Sequence, residues 1–188
     1  MPSTRDRILD GAMKAIATHG LAGLAMRDVG AASGVARGTV YRHFASREAL
    51  LAELGKRESA RFMERWRSQL AGIPSGPERL RAVVEYPARF ATEHPVLARL
   101  VESDPDYVLR AVRQHYATIR ATFVQLIGPI VAELAMVRDG VLPKEHMIDW
   151  FVRVMLSTFL IPPDDPALLA QDASAMHKAL KGKEIAAA

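Results

Sequence analysis

Residues 27–44, RDVGAASGVARGTVYRHF, constrain the fold of this chain more than any other segment. They predict two short helices joined by a tight turn at residues 33–35. Gly34 suits that turn, because glycine adopts the left-handed backbone conformation that a side chain opposes. Gly30 allows the two helices to approach closely. The apolar residues spaced to fix the angle between the helices are Val29, Val35, Val40 and Phe44.

The second helix of this helix-turn-helix is predicted to turn a polar face away from the protein. Its buried stripe consists of Val40 and Phe44, which lie one turn apart. The outward side carries Gly38 and Arg42, flanked by Thr39 and Tyr41, with Arg37 in the first turn. A small residue, cations, a hydroxyl and a methyl group suit the base edges in a major groove of DNA.

The positive charge of the chain is unevenly distributed. The formal net charge is +4, and residues 1–72 hold 12 lysines and arginines against 7 acidic residues. Residues 73–188 hold 13 against 14, so the whole excess lies in the part that contains the helix-turn-helix. Together with that motif, the excess predicts an electrostatic footprint for phosphates.

Composition and missing motifs argue against several other classes of protein. The chain has no cysteine, which excludes disulfides and thiolate chemistry and fits a reducing cytosol. The first residues lack a signal-peptide core, and no apolar run approaches the roughly 18 residues that span a bilayer. We therefore expect a cytoplasmic protein without a membrane partner. The six histidines are scattered, and neither a glycine-rich phosphate loop nor a Gly-x-Ser-x-Gly elbow is present. No metal, cofactor, catalytic residue or enzyme activity is predicted.

Apolar residues recur along the chain at intervals of three, four and seven residues, which predicts an all-α fold. A first helix over residues 4–19 is capped by Ser3 or Thr4, and Gly20 ends it. After the helix-turn-helix, further helices are expected over residues 47–70, 78–93, 95–103, 105–138, 143–161 and 166–181. Pro87 should bend one of them, and Gly128-Pro129 should interrupt another.

The helix over residues 146–161 is apolar on nearly every side. A surface helix of a monomer needs only one apolar stripe, so this helix should be buried on two sides. A homodimer explains the second side, whereas a central helix within one subunit is the alternative. The face that we assign to the partner subunit holds Met147, Trp150, Val154, Ser157 and Ile161.

The chain resembles the tetracycline-repressor-like (TetR) family of transcriptional regulators. The resemblance rests on Gly20, MRDVG at residues 26–30, SGVARGTVYRHF at 33–44 and SREALL at 46–51. It implies a three-helix DNA-binding domain over residues 1–46. Residues 47–188 then form a helical ligand-binding and dimerisation domain, whose residues 47–71 are a connecting helix.

Matching positions in the family imply roles for individual residues. Those expected at base edges are Arg27, Arg37, Gly38, Thr39 and Arg42, and those expected at phosphates are Tyr41, His43 and Arg47. A dimer through the last two long helices would place two recognition helices roughly 34–36 Å apart, on a near-palindromic operator. Two positions depart from the family pattern: Ala25 stands where Thr or Ser is usual, and Gly30 where Ala is usual.

The resemblance also implies release from DNA when a small, largely apolar effector binds the C-terminal domain. Candidate lining residues are Glu85, Tyr86, Phe90, Tyr107, Tyr116, Phe123, Met155 and Phe159, and ordinary core packing is the alternative for each. An architectural DNA-binding protein without a ligand, or an activator, remains open. The sequence does not identify the effector, the operator or the regulated genes.

Overall fold

The computed structural model describes residues 2–182, which form ten helices and no strand. This confirms the predicted all-α class. The helices are α1 (Thr4–His19), α2 (Met26–Ser33), α3 (Arg37–His43), α4 (Arg47–Leu70), α5 (Pro77–Glu93), α6 (Pro95–Ser103), α7 (Pro105–Ala132), α8 (Ala135–Arg138), α9 (Lys144–Leu160) and α10 (Pro166–Gly182). Among them, none has both the length and the apolar character needed to cross a bilayer.

Helix α1 begins and ends where the sequence predicts. The Asp6 N–H donates to Ser3 Oγ at 3.1 Å, and the Ser3 N–H donates to Asp6 Oδ2 at 3.3 Å, which completes a capping box. The Ser3 hydroxyl also donates to Asp6 Oδ2, at 2.6 Å. The hydrogen bond from the Ser3 hydroxyl holds the pKa of the Asp6 carboxyl below its usual value. Gly20 ends the helix with φ 72°. The predicted apolar face is buried, and it consists of Ile8, Leu9, Ala12, Ala15 and Ile16.

The chain forms two compact units. The first contains the chain up to Phe62 together with Pro95–Tyr107, and the second contains Met63–His94 and the chain from Val108 onward. Helix α6 therefore lies with the N-terminal helices despite its later position in the sequence. Its Val96 belongs to their buried core, and Arg99 Nη1 donates to the Ala17 carbonyl near the end of α1 at 2.9 Å.

The second unit is built around α5, α7, α9 and α10. Trp66, at the end of α4, is fully buried and meets Phe123 edge to face, with 4.9 Å between ring centroids. Arg79 Nη1 donates to the carbonyls of Leu70 and Ile73 at 3.1 and 2.7 Å. These bonds tie the loop after α4 to the first turn of α5.

The predicted interruption at Gly128-Pro129 is wrong. Helix α7 continues through both residues to Ala132, and the chain leaves the helix only before α8. A proline removes one backbone hydrogen bond from a helix. Here the flanking Ile127 and Ile130 are each 1% exposed, so burial of this stretch holds the helical path. Pro87 lies within α5, which continues on both sides of it, and the bend expected at this residue stays a prediction.

Candidate nucleic-acid interface

The turn of the helix-turn-helix has the geometry that its glycines predict. Gly34 is left-handed, with φ 63° and ψ 31°, and Arg7 Nη2 donates to its carbonyl at 3.2 Å. The N–H of Val35 donates to the Gly30 carbonyl at 3.1 Å. A Cβ at Gly30 would lie only 3.1 Å from the Val35 carbonyl oxygen, so this glycine permits the close approach of α2 and α3.

Helix α3 buries one side and leaves the other open. Val40 is 0% exposed and Phe44, which caps the helix, is 2% exposed. On the opposite side, an added Cβ at Gly38 would meet no atom within 4 Å. The residues that share this open side are Arg37, Tyr41 and Arg42, which are exposed, and Thr39, which is half-buried. The backbone of α3 can therefore come close to a partner surface.

Short-range contacts gather the polar side chains of α3 into one patch. The Arg37 guanidinium lies 5.6 Å from the centroid of the Tyr41 ring, within cation–π distance. Arg42 Nη2 lies 3.5 Å from Thr39 Oγ1. The helix carries no acidic residue, so the patch is purely basic and polar. Its composition suits phosphates and the acceptor-rich edges of guanine.

Two further predicted DNA contacts lie near this patch in the chain, and they differ in exposure. The Arg27 side chain, on α2, is 78% exposed, and its Nε lies 3.2 Å from Asp28 Oδ1. An exposed pair of this kind contributes little to stability, so the guanidinium can exchange its partner. His43, in the last turn of α3, is half-buried.

Arg47, which is predicted to contact a phosphate, makes hydrogen bonds within the protein. Its Nε donates to the Leu24 carbonyl at 3.1 Å, and its Nη2 donates to the Leu21 carbonyl. Its Nη1 is 4.0 Å from Glu48 Oε1. The guanidinium expected at a phosphate is thus engaged within the protein. Sequence reasoning missed this role because carbonyl oxygens carry no signal in the residue pattern.

Other arginines of the N-terminal part are engaged in the same way. Arg7 bonds the turn after α2, and Arg57 Nη1 donates to the Asp6 carbonyl at 3.2 Å while Nη2 lies 2.9 Å from Asp10 Oδ1. These arginines keep their positive charge, but their side chains are held within the protein and are less free to contact a phosphate directly. The prediction of a phosphate-binding surface therefore depends mainly on the exposed cations of α2 and α3.

Helix α2 begins without a side-chain cap. Its N-cap residue, Ala25, has the extended conformation that a capping residue adopts, with φ −109° and ψ 147°. Alanine offers no oxygen to the backbone N–H groups of the first turn. The geometry of a cap is therefore present at Ala25 without its hydrogen bond.

The predicted effector-lining residues do not form one group. Tyr107 packs against the core of the first unit, so its placement among residues of the second unit is corrected. The other candidates belong to the second unit. Of these, Phe123 and Met155 are buried, whereas Glu85, Tyr86, Phe90, Tyr116 and Phe159 are half-buried.

Contacts of the half-buried candidates are partly polar. Glu85 Oε2 accepts from Arg81 Nη1 at 2.8 Å, which leaves the carboxylate already paired. The Tyr116 hydroxyl accepts from Arg153 Nη1 at 2.7 Å. The rings of Tyr86 and Phe90 are 6.4 Å apart, and burial raises the pKa of Tyr86. The structure brings these two aromatic residues of α5 together.

The predicted partner face on α9 is largely exposed. Trp150 is 49% exposed and Ile161 is 79% exposed, and both Val154 and Ser157 also face outward. The assignment of Met147 to this face is corrected, because its side chain is only 8% exposed and belongs to the buried side of α9. Sequence spacing missed further exposed apolar side chains, which are Leu160 on α9 and Leu168 and Met176 on α10.

Acidic and histidine side chains show no arrangement of three or more suited to a metal ion within residues 2–182.

Comparison with known proteins agrees with this geometry. Residues 8–54 match the family model described as bacterial regulatory proteins, tetR family. An uncharacterized HTH-type transcriptional regulator of Mycobacterium tuberculosis is 27% identical over 165 residues, which are 86% of this chain and 77% of the relative.

Two solved structures share the fold over nearly the whole chain. One is the fatty acid degradation regulator FadR of Bacillus halodurans, with a TM-score of 0.69, 19% identity and 98% of each chain covered. The other is FadR of Bacillus subtilis in complex with stearoyl-CoA, with a TM-score of 0.62, 21% identity, and 95% of this chain and 99% of that one covered.

Proposed function

We propose that the chain, whose residues 8–54 match the model of the tetR family of bacterial regulatory proteins, is a DNA-binding transcriptional repressor that a ligand releases from DNA. As a homodimer it binds a palindromic operator, and a small, largely apolar effector releases it. Residues 1–46 bind DNA, and residues 47–188 bind the effector and the second subunit. The observation that carries the proposal is the exposed basic face of α3, at which an added Cβ on Gly38 meets nothing.

In this proposal α3 enters the major groove with its open side toward the bases. Arg37 and Arg42 donate to guanine acceptors, and the open Cα of Gly38 allows the helix to approach the base pairs. The half-buried Thr39 offers a hydroxyl and a methyl group at the edge of the patch. The remaining contacts are Arg27 from α2, at a base edge, and Tyr41 and His43, at phosphates.

Gly38→Ala is expected to separate stability from DNA binding. In the free protein the added methyl group meets open space, and alanine favours a helix over glycine by up to about 1 kcal/mol. On DNA the same methyl group lies between helix and bases, so operator affinity should fall roughly tenfold or more, as for a mismatched base pair. Thermal melting and fluorescence anisotropy measure the two effects. An affinity equal to that of the wild type would remove Gly38 from the interface.

Homodimer formation is proposed to use the exposed apolar side chains of α9 and α10. Trp150 and Val154 project from α9, Ile161 directly follows that helix, and Leu168 and Met176 project from α10. An apolar surface rimmed by polar residues marks an interaction site. Two copies joined there would present two copies of α3 to one face of DNA.

Trp150→Arg is expected to convert the dimer to a monomer, because it places a charge in the proposed interface. Sedimentation velocity should then show one species near 20.7 kDa, the mass of the chain. Affinity for a full palindrome should fall to that for a single half-site. The matched control is Val141→Arg, at a residue that is 65% exposed between α8 and α9. A dimeric Trp150→Arg protein would exclude this face.

An effector with a long acyl chain is proposed because the second unit is rich in apolar helices and shares its fold with a regulator that binds stearoyl-CoA. Population shift toward a state with misaligned recognition helices then releases the operator. The test adds stearoyl-CoA, free coenzyme A or stearate to the protein bound to a fluorescent operator duplex. Release by the thioester alone supports an acyl-CoA effector, and release by none of them contradicts the acyl class.

A DNA-binding protein without an effector is the alternative function. Such a protein would differ from a repressor in its weak sequence preference. Its affinity for DNA would also fall steeply as salt rises, because it would bind through phosphate contacts alone. An activator differs only in where its operator lies relative to a promoter.

A further inference from the structure

We propose that Arg47 positions the DNA-reading helices, by fixing the turn before α2 to the start of the connecting helix α4, and does not bind DNA phosphate. This inference rests on the proposed DNA-binding function, and it assigns to Arg47 the role of holding the DNA-binding helices in place. The juxtaposition that carries it is the fork of one guanidinium against two carbonyl oxygens of the α1–α2 turn.

The guanidinium of Arg47 links two segments that are far apart in the sequence. Arg47 is the first residue of α4, and its Nε and Nη2 donate to the carbonyls of Leu24 and Leu21, more than twenty residues earlier in the chain. The Leu24 N–H also donates to the Leu21 carbonyl, at 3.2 Å. The Leu21 oxygen therefore accepts both a bond from within the turn and a bond from α4.

Apolar packing anchors the side chains of the turn that Arg47 holds. The side chains of Leu21 and Leu24 are 5% and 4% exposed and belong to the core of the first unit. Helix α2 begins at Met26, after Ala25, which supplies no capping side chain. The bonds from Arg47 thus fix the backbone leading into a helix that lacks the usual side-chain restraint.

Arginine suits this place better than lysine. A planar guanidinium donates two hydrogen bonds in a fixed direction, and it matches two acceptors at once. A lysine ammonium carries the same charge but lacks the planar fork, so it cannot reproduce both bonds in one geometry. A phosphate, in contrast, accepts from either side chain as a cation. The two roles therefore predict opposite outcomes for Arg47→Lys.

The experiment compares the full chain with Arg47→Ala, Arg47→Lys and a control, Lys56→Ala. Lys56 is an exposed residue of the same helix, so the control removes one positive charge without removing a carbonyl contact. The probes are an operator duplex recovered by selection from a random pool and a scrambled duplex of equal length. Anisotropy is measured from about 50 to 200 mM KCl, below the melting temperature of every variant.

Positioning by Arg47 predicts that both substitutions weaken operator binding, by roughly tenfold or more for a lost charge-assisted hydrogen bond. Binding to the scrambled duplex and the salt slope stay at the wild-type values. Amide hydrogen exchange over residues 21–30 becomes faster in both variants. Lys56→Ala changes none of these quantities.

Two results would overturn the inference. A salt slope reduced by about 0.9 in Arg47→Ala, with wild-type behaviour restored in Arg47→Lys, would place the side chain on a phosphate. Wild-type operator affinity in both folded variants would mean that DNA reading does not need the bonds to the turn. If Arg47→Ala does not fold, Arg47→Lys alone decides between these outcomes. A wild-type protein that cannot distinguish the two duplexes would instead contradict the proposed function itself.

Discussion

Gly11→Ala should destabilise the first unit by about 1–3 kcal/mol, the cost of overpacking a tight core. Gly11 lies in α1 where the helix meets the end of α2. A Cβ there would lie 2.5 Å from Ser33 Cβ, 2.7 Å from its backbone nitrogen and 2.9 Å from its Cα. Backbone atoms cannot rotate away as a flexible side chain can, so α1 and α2 must separate. Operator affinity should fall together with stability, because α2 supports α3.

The matched control for Gly11→Ala is Gly55→Ala, in the interior of α4. An added Cβ at Gly55 meets no atom within 4 Å, so alanine should stabilise the helix by up to about 1 kcal/mol. Urea unfolding of both variants measures the two free-energy changes with opposite expected signs. Equal, small changes in both variants would mean that α1 and α2 do not pack as closely as the structure has them.

Arg42→Ala should weaken specific binding by about 1–3 kcal/mol and relax specificity at one base pair, as expected for a lost bidentate contact to guanine. Arg42 lies on the open side of α3, where its Nη2 is 3.5 Å from the Thr39 hydroxyl oxygen. Its replacement leaves the buried stripe of α3 intact. Fold stability should therefore stay within about 0.5 kcal/mol of the wild type.

Titration against the operator and the scrambled duplex separates the two possible roles of Arg42. A base contact predicts a large loss on the operator and a small loss on the scrambled duplex. Equal losses on both duplexes, with a salt slope reduced by about 0.9, would place Arg42 on the phosphate backbone instead. Lys56→Ala serves again as the control for removal of one distant charge.

Local signals in the sequence predict much of the first unit correctly. The N-cap at Ser3, one of the two residues predicted for it, and the left-handed Gly34 depend on a few neighbouring residues, so short patterns identify them. The apolar stripe of α1 follows the helical period and is buried as predicted. These features need no knowledge of the rest of the fold.

Features that depend on distant packing could not be predicted in this way. The carbonyl partners of Arg47 come from backbone atoms, which every residue type supplies equally. The residue type of Tyr107 suggests that it lines a pocket. The segment Pro95–Tyr107 belongs to the first unit, however, so Tyr107 packs against the core of that unit. Met147 shares the helical spacing of the exposed α9 face and is nevertheless buried, because the boundary between faces depends on neighbouring helices. The route of α7 through Pro129 was likewise decided by burial.

Selection of bound duplexes from a random pool by the purified protein, at near-physiological salt, tests the central claim most directly. A dimer that presents two copies of α3 predicts recovery of a near-palindrome whose half-sites lie about one DNA turn apart, roughly 34–36 Å. The Arg42→Ala protein should lose preference at one position in each half-site. Recovery of no common sequence, with affinity that collapses as salt rises, would contradict a sequence-reading repressor and favour an architectural DNA-binding protein.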